Sequence, residues 1–252
     1  MAGNNALAWQ LLLPLFAPLI GSFIGLLTLR LPAGEPVVAG RSACAGCKRT
    51  LGPIDLVPIL SFLWLRGRCR TCRAPIPRRY LLIELACVGV AVWAVFAHGW
   101  PLAAASAVLG WWLLLIAFVD AEHSWLPWRF TLPLGAAGLL AAALLQPQSL
   151  SERAIGAVAG VAVLWGLAWL YRRVRGREGL GGGDPALLGA AGAWVGWTGL
   201  PSVLLYASLA GLSLVLAQAL LRRRVRLDDR LPFGVFLAAG IWLTWLYGPL
   251  GR

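Results

Sequence analysis

Eight apolar stretches, most of them close to the roughly 20 residues that cross a bilayer as a helix, leave this chain few folds to adopt. They are read at 8–29, 81–97, 102–119, 131–147, 154–171, 185–198, 202–221 and 231–248. In hydrocarbon the backbone must satisfy its hydrogen bonds internally. The expected fold is therefore all-α, a polytopic membrane protein of about eight transmembrane helices. Of 252 residues, 60% are hydrophobic and only 13% charged, about half the charged share of a soluble domain. The first run has no basic residue before it, unlike a secretory signal peptide, and is expected to be a span. The sixth run is short for a full crossing and is expected to tilt or to thin the bilayer locally.

The charges set the orientation. The formal net charge is +12, which by itself would allow a nucleic-acid partner. The positions of the charges argue against one. Ten Lys or Arg lie in 30–80, one in 120–130 (Arg129), four in 172–184 and five in 222–230. Twenty of the 22 basic residues thus fall on one side of the predicted bundle, and only Arg153 and Arg252 on the other. The positive-inside rule makes the rich side cytoplasmic, with both termini outside. The basic balance is a topology signal, helped by anionic lipid headgroups, and no nucleic acid is expected.

Three regions follow: a first transmembrane helix (1–29), a cytoplasmic cysteine-rich loop (30–80) and a helical bundle (81–252). The loop holds Cys44-x2-Cys47 and Cys69-x2-Cys72, separated by 21 residues. Paired knuckles of this kind resemble a zinc ribbon. Four thiolates complete a tetrahedral Zn²⁺ site, and a polar segment of this length gains its fold from the metal. The other readings are disulfides, which a cytoplasmic location disfavours, and unpaired structural cysteines. Cys87, inside the second span, reads as a packing residue. Gly156, Gly160, Gly189, Gly192 and Gly196 read as sites of close helix packing, and Trp111, Trp112, Trp125, Trp128, Trp194 and Trp197 as interfacial or packing residues.

Two carboxylates carry the functional reading. Asp120 ends the third span and Asp184 opens the sixth, so both are placed at the cytoplasmic end. An ionisable residue at a span's edge is by default a functional-site hypothesis. Two carboxylates at one face are what an aspartyl protease needs. They would share one proton, the ionised member acting as base on a water and the protonated member polarising the scissile carbonyl. Gly181, Gly182 and Gly183, which precede Asp184, would let an extended peptide approach the backbone; the plain alternative is a turn capped by Asp184. Glu122 and His123 read as solvated or at headgroup level, Asp228 and Asp229 as neutralised among five arginines, and His98 as a turn residue without chemistry.

The ordered set of motifs resembles the bacterial type IV prepilin peptidases. It comprises Gly21-Ser22-Phe23, Arg30-Leu31-Pro32, Arg41-Ser42-x-Cys44-x2-Cys47 and Ile54-Asp55-Leu-Val-Pro58-Ile-Leu-Ser61. It continues through Leu65-Arg66-Gly67-Arg68-Cys69-Arg70-x-Cys72, Pro75-Ile76 and Arg79-Tyr80 to Glu84, then Asp120-x6-Pro127, Gly181-x-Gly183-Asp184 and Leu231-Pro232-Phe233-Gly234. The resemblance implies a GxGD-type aspartyl endopeptidase of the bacterial inner membrane. Such an enzyme removes a basic leader from prepilins and pseudopilins on the cytoplasmic side, after a glycine, with Asp120 and Asp184 as the catalytic pair. It also implies N-methylation of the new terminus, using S-adenosylmethionine and the cysteine-rich loop. Membrane lipids and prepilin or pseudopilin substrates are the expected partners.

The chain departs from the family pattern at Pro185-Ala186, at Val235 where a second proline is usual, at Gly25 where asparagine is usual, and in a short 32–41 stretch. The competing readings are a peptidase with a purely structural cysteine loop, a non-catalytic assembly factor and a proton-coupled transporter. The last is disfavoured because coupling sites lie near the midplane.

Overall fold

The structure, a computed structural model, describes residues 2–37, 40–176, 181–221 and 232–251. The expected setting of Asp228 and Asp229 among arginines lies outside the described residues. Among those described there are nine α-helices: α1 (Ala2–Arg30), α2 (Leu60–Trp64), α3 (Arg78–Ala97), α4 (Leu102–His123), α5 (Trp128–Leu145), α6 (Leu150–Arg175), α7 (Asp184–Val195), α8 (Leu200–Leu220) and α9 (Phe233–Tyr247). The described residues contain no strand, only two isolated antiparallel bridges.

Six segments have the length and apolarity to cross a membrane: Gln10–Arg30, Arg78–Ala97, Leu102–His123, Trp128–Leu145, Pro147–Arg175 and Trp197–Leu220. The chain is a multi-pass membrane protein. At the positions of the sixth and eighth predicted spans stand two shorter helices, α7 with 12 residues and α9 with 15. α7 is about 18 Å long at 1.5 Å per residue, well under the hydrocarbon thickness. Outward apolar residues such as Val158, Trp165 and Leu212 are exposed, a surface suited to lipid chains.

The chain divides into two compact units, Met1–Leu115 and Ile116–Arg252. In the first, α1 packs along α3. Their backbones touch at Gly21, where a Cβ would lie 2.6 Å from the Glu84 Cα. Cys87 is fully buried, as expected of a packing residue, and its carbonyl accepts the Trp111 indole N–H at 2.9 Å.

In the second unit α7 is the hub. It contacts α5, α6, α8 and α9, and ten of its twelve residues are buried. Such enclosure explains how a helix too short to span can be held without meeting lipid. Small residues make it possible. A Cβ on Gly156 of α6 would lie 2.7 Å from the Gly192 carbonyl oxygen, and Gly160 lies equally hard against the Leu188 carbonyl. The two helices therefore meet backbone to backbone, the close approach expected of these glycines. Gly196 differs: its φ of 74° makes the turn that ends α7, a conformation glycine adopts without penalty. Trp194 is a packing residue, buried, with its indole N–H donated to the Leu134 carbonyl at 2.9 Å.

Arg153, read from the sequence as a loop charge, lies instead in the first turn of α6 and is buried. Its guanidinium stands 5.2 Å from the Trp245 ring centroid and donates to the Gln146 side-chain carbonyl.

Candidate active site and metal centre

Asp120 lies near the C-terminal end of α4, where the chain turns through Ser124 (φ 47°). Its carboxylate meets the start of α9. The first N–H groups of a helix have no partner within it, and Val235 donates its N–H to Asp120 Oδ2 at 3.2 Å. Gly234 is needed for this approach, since a Cβ there would be 2.8 Å from the same oxygen. Val235 stands where the resembled motif has a second proline. A proline has no N–H to give, so this departure adds a donor to the carboxylate.

Asp184 begins α7, with Pro185 behind it. Its Oδ2 accepts the Gly181 N–H at 3.0 Å, closing a short turn. The three glycines have different surroundings. A Cβ on Gly181 would press on the Asp184 carboxylate at 3.0 Å, and one on Gly183 would lie 2.7 Å from the Leu126 Cβ. One on Gly182 would meet nothing within 4 Å. The Gly183–Leu126 contact joins the two motifs, because Leu126 sits on the loop that follows Asp120.

Both aspartates are buried, at 6% and 5% exposure, and Asp184 feels the charge of Asp120. Three separate stretches of sequence therefore converge: the end of α4, the glycine turn before α7, and the N-terminus of α9. The sequence reading paired the aspartates but missed the third element as a partner. The available signal was Pro232-Phe233-Gly234, a proline followed by a small residue at a helix start. Glu122 and His123 are exposed at the end of α4, 3.8 Å apart, in line with a solvated setting. His98 bonds Ser106 at 2.9 Å.

Gly234→Ala should lower any activity that depends on Asp120 by roughly 10²-fold, the usual consequence of misplacing a reacting group by about 1 Å. Initial rates at matched membrane abundance would check this. A rate within twofold of wild type would mean that Asp120 does not work against α9.

In the first unit the four cysteines come together. Cys44, Cys47, Cys69 and Cys72 place their Sγ atoms within 4.8 Å of one another, with Cys44 and Cys72 at 3.7 Å. A tetrahedron with metal–sulfur bonds near 2.3 Å has edges of about 3.8 Å, whereas a disulfide needs about 2.05 Å. The donor set fits a single tetrahedral metal ion.

The second knuckle repeats the first bond for bond. Cys44 and Cys69 donate their N–H to Arg49 and Ala74 carbonyls, and Lys48 and Arg73 return theirs to Cys44 and Cys69. Lys48 and Arg73 both take φ 59°. Isolated bridges Ala43–Thr50 and Arg68–Pro75 close the two turns. Backbone N–H groups of Cys72 and Thr71 hold the Cys69 thiol down to about 6, and those of Cys47 and Gly46 lower Cys44. The Ala74 N–H pulls Cys72 down, but burial and the neighbouring thiols carry it up to about 11. A cation entering the site would displace the thiol protons that remain.

Asp55 ties the knuckles together, pairing with Arg49 at 2.7 Å and Arg70 at 3.1 Å. Burial pushes its carboxyl up, but the Gly52 N–H and the Arg49 guanidinium hold it below the usual carboxylate range.

Family models match both units. The bacterial peptidase A24 N-terminal domain covers residues 15–98, and the type IV leader peptidase family covers 107–216, including both aspartates. A prepilin leader peptidase/N-methyltransferase of Aeromonas hydrophila is 40% identical over 260 residues, covering 93% of this chain and 89% of the relative. The chain belongs to the type IV leader peptidase family. Another relative of the same name, from Burkholderia pseudomallei, is 45% identical over 220 residues, covering 86% of this chain and 71% of its own. One from Pseudomonas aeruginosa is 36% identical over 272 residues, covering 97% and 92%. No solved structure matches the chain.

Proposed function

We propose that this protein is a membrane aspartyl endopeptidase that removes the basic leader of type IV prepilins or pseudopilins. Cleavage follows a glycine on the cytoplasmic side of the bacterial inner membrane, and S-adenosylmethionine-dependent methylation of the freed N-terminus follows cleavage. The carrying observation is the convergence of two buried carboxylates, each held by a backbone N–H, within one helical unit. Asp120 and Asp184 are the catalytic pair.

The pair holds one proton between its members, because two adjacent carboxylates in a poorly hydrated site do not both ionise readily. The ionised member takes a proton from a water as it attacks the scissile carbonyl. The protonated member polarises that carbonyl and then supplies the leaving amine. The cycle belongs to the pair rather than to fixed roles. Gly182 leaves an open strip beside Asp184 along which an extended substrate backbone fits. The four cysteines hold Zn²⁺ as a structural ion, which organises residues 30–80. The basic clusters of that loop and of 172–175 keep it on the cytoplasmic face.

The substrate follows from this geometry. An apolar helix of about 20 residues lies beside the bundle, and its cytoplasmic end comes level with the aspartates. The residue before the cut faces a turn closed by Leu126 and the Asp184 carboxylate, so glycine fits and a larger side chain does not.

The deciding experiment restores the chain to a membrane lacking prepilin peptidase and follows leader removal. Processing is expected. In purified form, replacing the glycine before the cut by leucine should slow cleavage by roughly 10²-fold, the scale of a misplaced scissile bond. Replacing one leader lysine should change it only a few-fold. No processing at normal abundance would leave the protein an assembly factor. Equal rates for glycine and leucine substrates would refute the narrow-site geometry alone.

A further inference from the structure

A cavity of about 620 Å³ opens between α1, α3 and the cysteine-rich loop, entirely within the first unit. Its volume is in the range of small-molecule and cofactor sites. Leu19, Phe23 and Leu26 of α1 give it an apolar side, and Asp55 with its arginines lies on the loop side. Glu84, one of its lining residues, lies in the second turn of α3 and is only 6% exposed.

This carboxylate has an unusual set of partners. It accepts the Ile59 N–H at 2.7 Å, a neutral donor. Among the described residues no basic side chain pairs with it. The other lining acids differ: Asp55 is clasped by Arg49 and Arg70, and Glu35 is exposed to solvent. A buried carboxylate without a cation is costly to keep. The structure around it is nevertheless built to keep it. Gly21 lets α1 pack directly against it, because a Cβ there would lie 2.6 Å from the Glu84 Cα. Ile59 takes φ 61° and ψ −56°, with the Leu60 N–H returned to the Pro58 carbonyl at 2.6 Å. That is a γ-turn, strained for any residue and more so for a β-branched one. Such strain persists where the surroundings enforce it, often at functional sites. Here it aims an N–H at Glu84.

We propose that Glu84 is the docking carboxylate for the primary amine that cleavage exposes, and that the cavity beside it holds the sulfonium methyl donor. The inference rests on the methyltransferase reading above. The amine arrives as an ammonium and supplies the missing cation, while the apolar side chain behind it lies along Leu19, Phe23 and Leu26. Its proton passes to Glu84 or to water. The nitrogen lone pair then attacks the S-methyl carbon. The carbon–sulfur bond breaks with its electron pair on sulfur, giving a neutral thioether and a methylated ammonium, which sheds a proton as it leaves.

The test uses the full-length, metal-loaded protein in nanodiscs and two fluorescent peptides with a mature pilin-like N-terminus, one with a free amine and one N-acetylated. Wild type should bind the free amine at least tenfold more tightly. Glu84→Gln should remove that preference while keeping stoichiometric metal, which reports a folded loop. Glu84→Asp, which keeps the charge, should restore part of it. Methylation of the free-amine peptide should fall by about 10²-fold in Glu84→Gln, mainly through a raised KM. Equal binding of the two peptides by wild type, or a preference that survives in Glu84→Gln, would overturn the proposal. Failure of the methyltransferase reading looks different: wild type would prefer the free amine yet transfer no methyl group from S-adenosylmethionine.

Discussion

Asp120→Asn and Asp184→Asn should each lower leader cleavage by roughly 10³-fold or more, within the range a positioned acid or base contributes, at near-normal abundance in the membrane. The reason for intact folding is local. In both positions the native contact is one carboxylate oxygen accepting one N–H, from Val235 and from Gly181. An asparagine carbonyl oxygen can accept the same bond. It also removes a buried charge, so the helices lose little. What disappears is the exchangeable proton, and neither aspartate can take the other's part. The double variant should therefore be hardly worse than either single one, since residues that act as a unit are not additive. Single-turnover assays on a prepilin with matched protein would measure this. Near-normal turnover in either variant would show that the pair is not the catalytic centre.

Removal of the metal should have the second largest effect, and on a different activity. Purified under reducing conditions, the protein should carry about one Zn²⁺ per chain, because four thiolates complete one tetrahedral site. Cys69→Ser removes the buried ligand and the thiol that receives the Cys72 and Thr71 N–H groups. Taking a quarter of a structural zinc's ~10–16 kcal/mol, the loss is about 3 kcal/mol, more than 10²-fold in affinity. The two knuckles would then part, with Asp55 and its two arginines as their remaining tie. Methylation should fall much further than cleavage, since both aspartates lie in the second unit. Elemental analysis and the ratio of the two activities check this. Metal-free protein that methylates normally would make the cysteine cluster incidental.

Much of this was legible before any coordinates. Apolar run length finds the six long membrane-type helices, because hydrocarbon admits only structures with satisfied backbones, and the distribution of arginine gives an expected orientation. The paired CxxC spacing announces a four-sulfur site, and the four Sγ atoms lie within 4.8 Å of one another. The glycines of α6 and α7 read as close-packing residues, and four of the five are. Gly196 is a turn residue instead, a role that depends on φ and not on residue type.

Other features have no one-dimensional signature. Arg153 counts as a loop charge in sequence, yet the ring of Trp245 and the amide of Gln146 hold it inside the first turn of α6. The shortness of α7 looks like a deficient span until α5, α6, α8 and α9 enclose it. Gly234 and Val235 lie more than a hundred residues from Asp120, and only folding brings that helix start to the carboxylate. Glu84 is one acid in an apolar run, part of the motif set but without a role in sequence until Gly21 and the strained turn at Ile59 show what surrounds it.

The sequence by itself determined which segments are apolar enough for membrane helices, how the basic residues divide among the loops, and which side chains can do chemistry, because those depend on composition along the chain. The tertiary structure decided which N–H groups hold the two aspartates and, among the described residues, which buried acid pairs with no basic side chain. Those depend on backbones approaching across long sequence separations, where a single missing Cβ sets the distance.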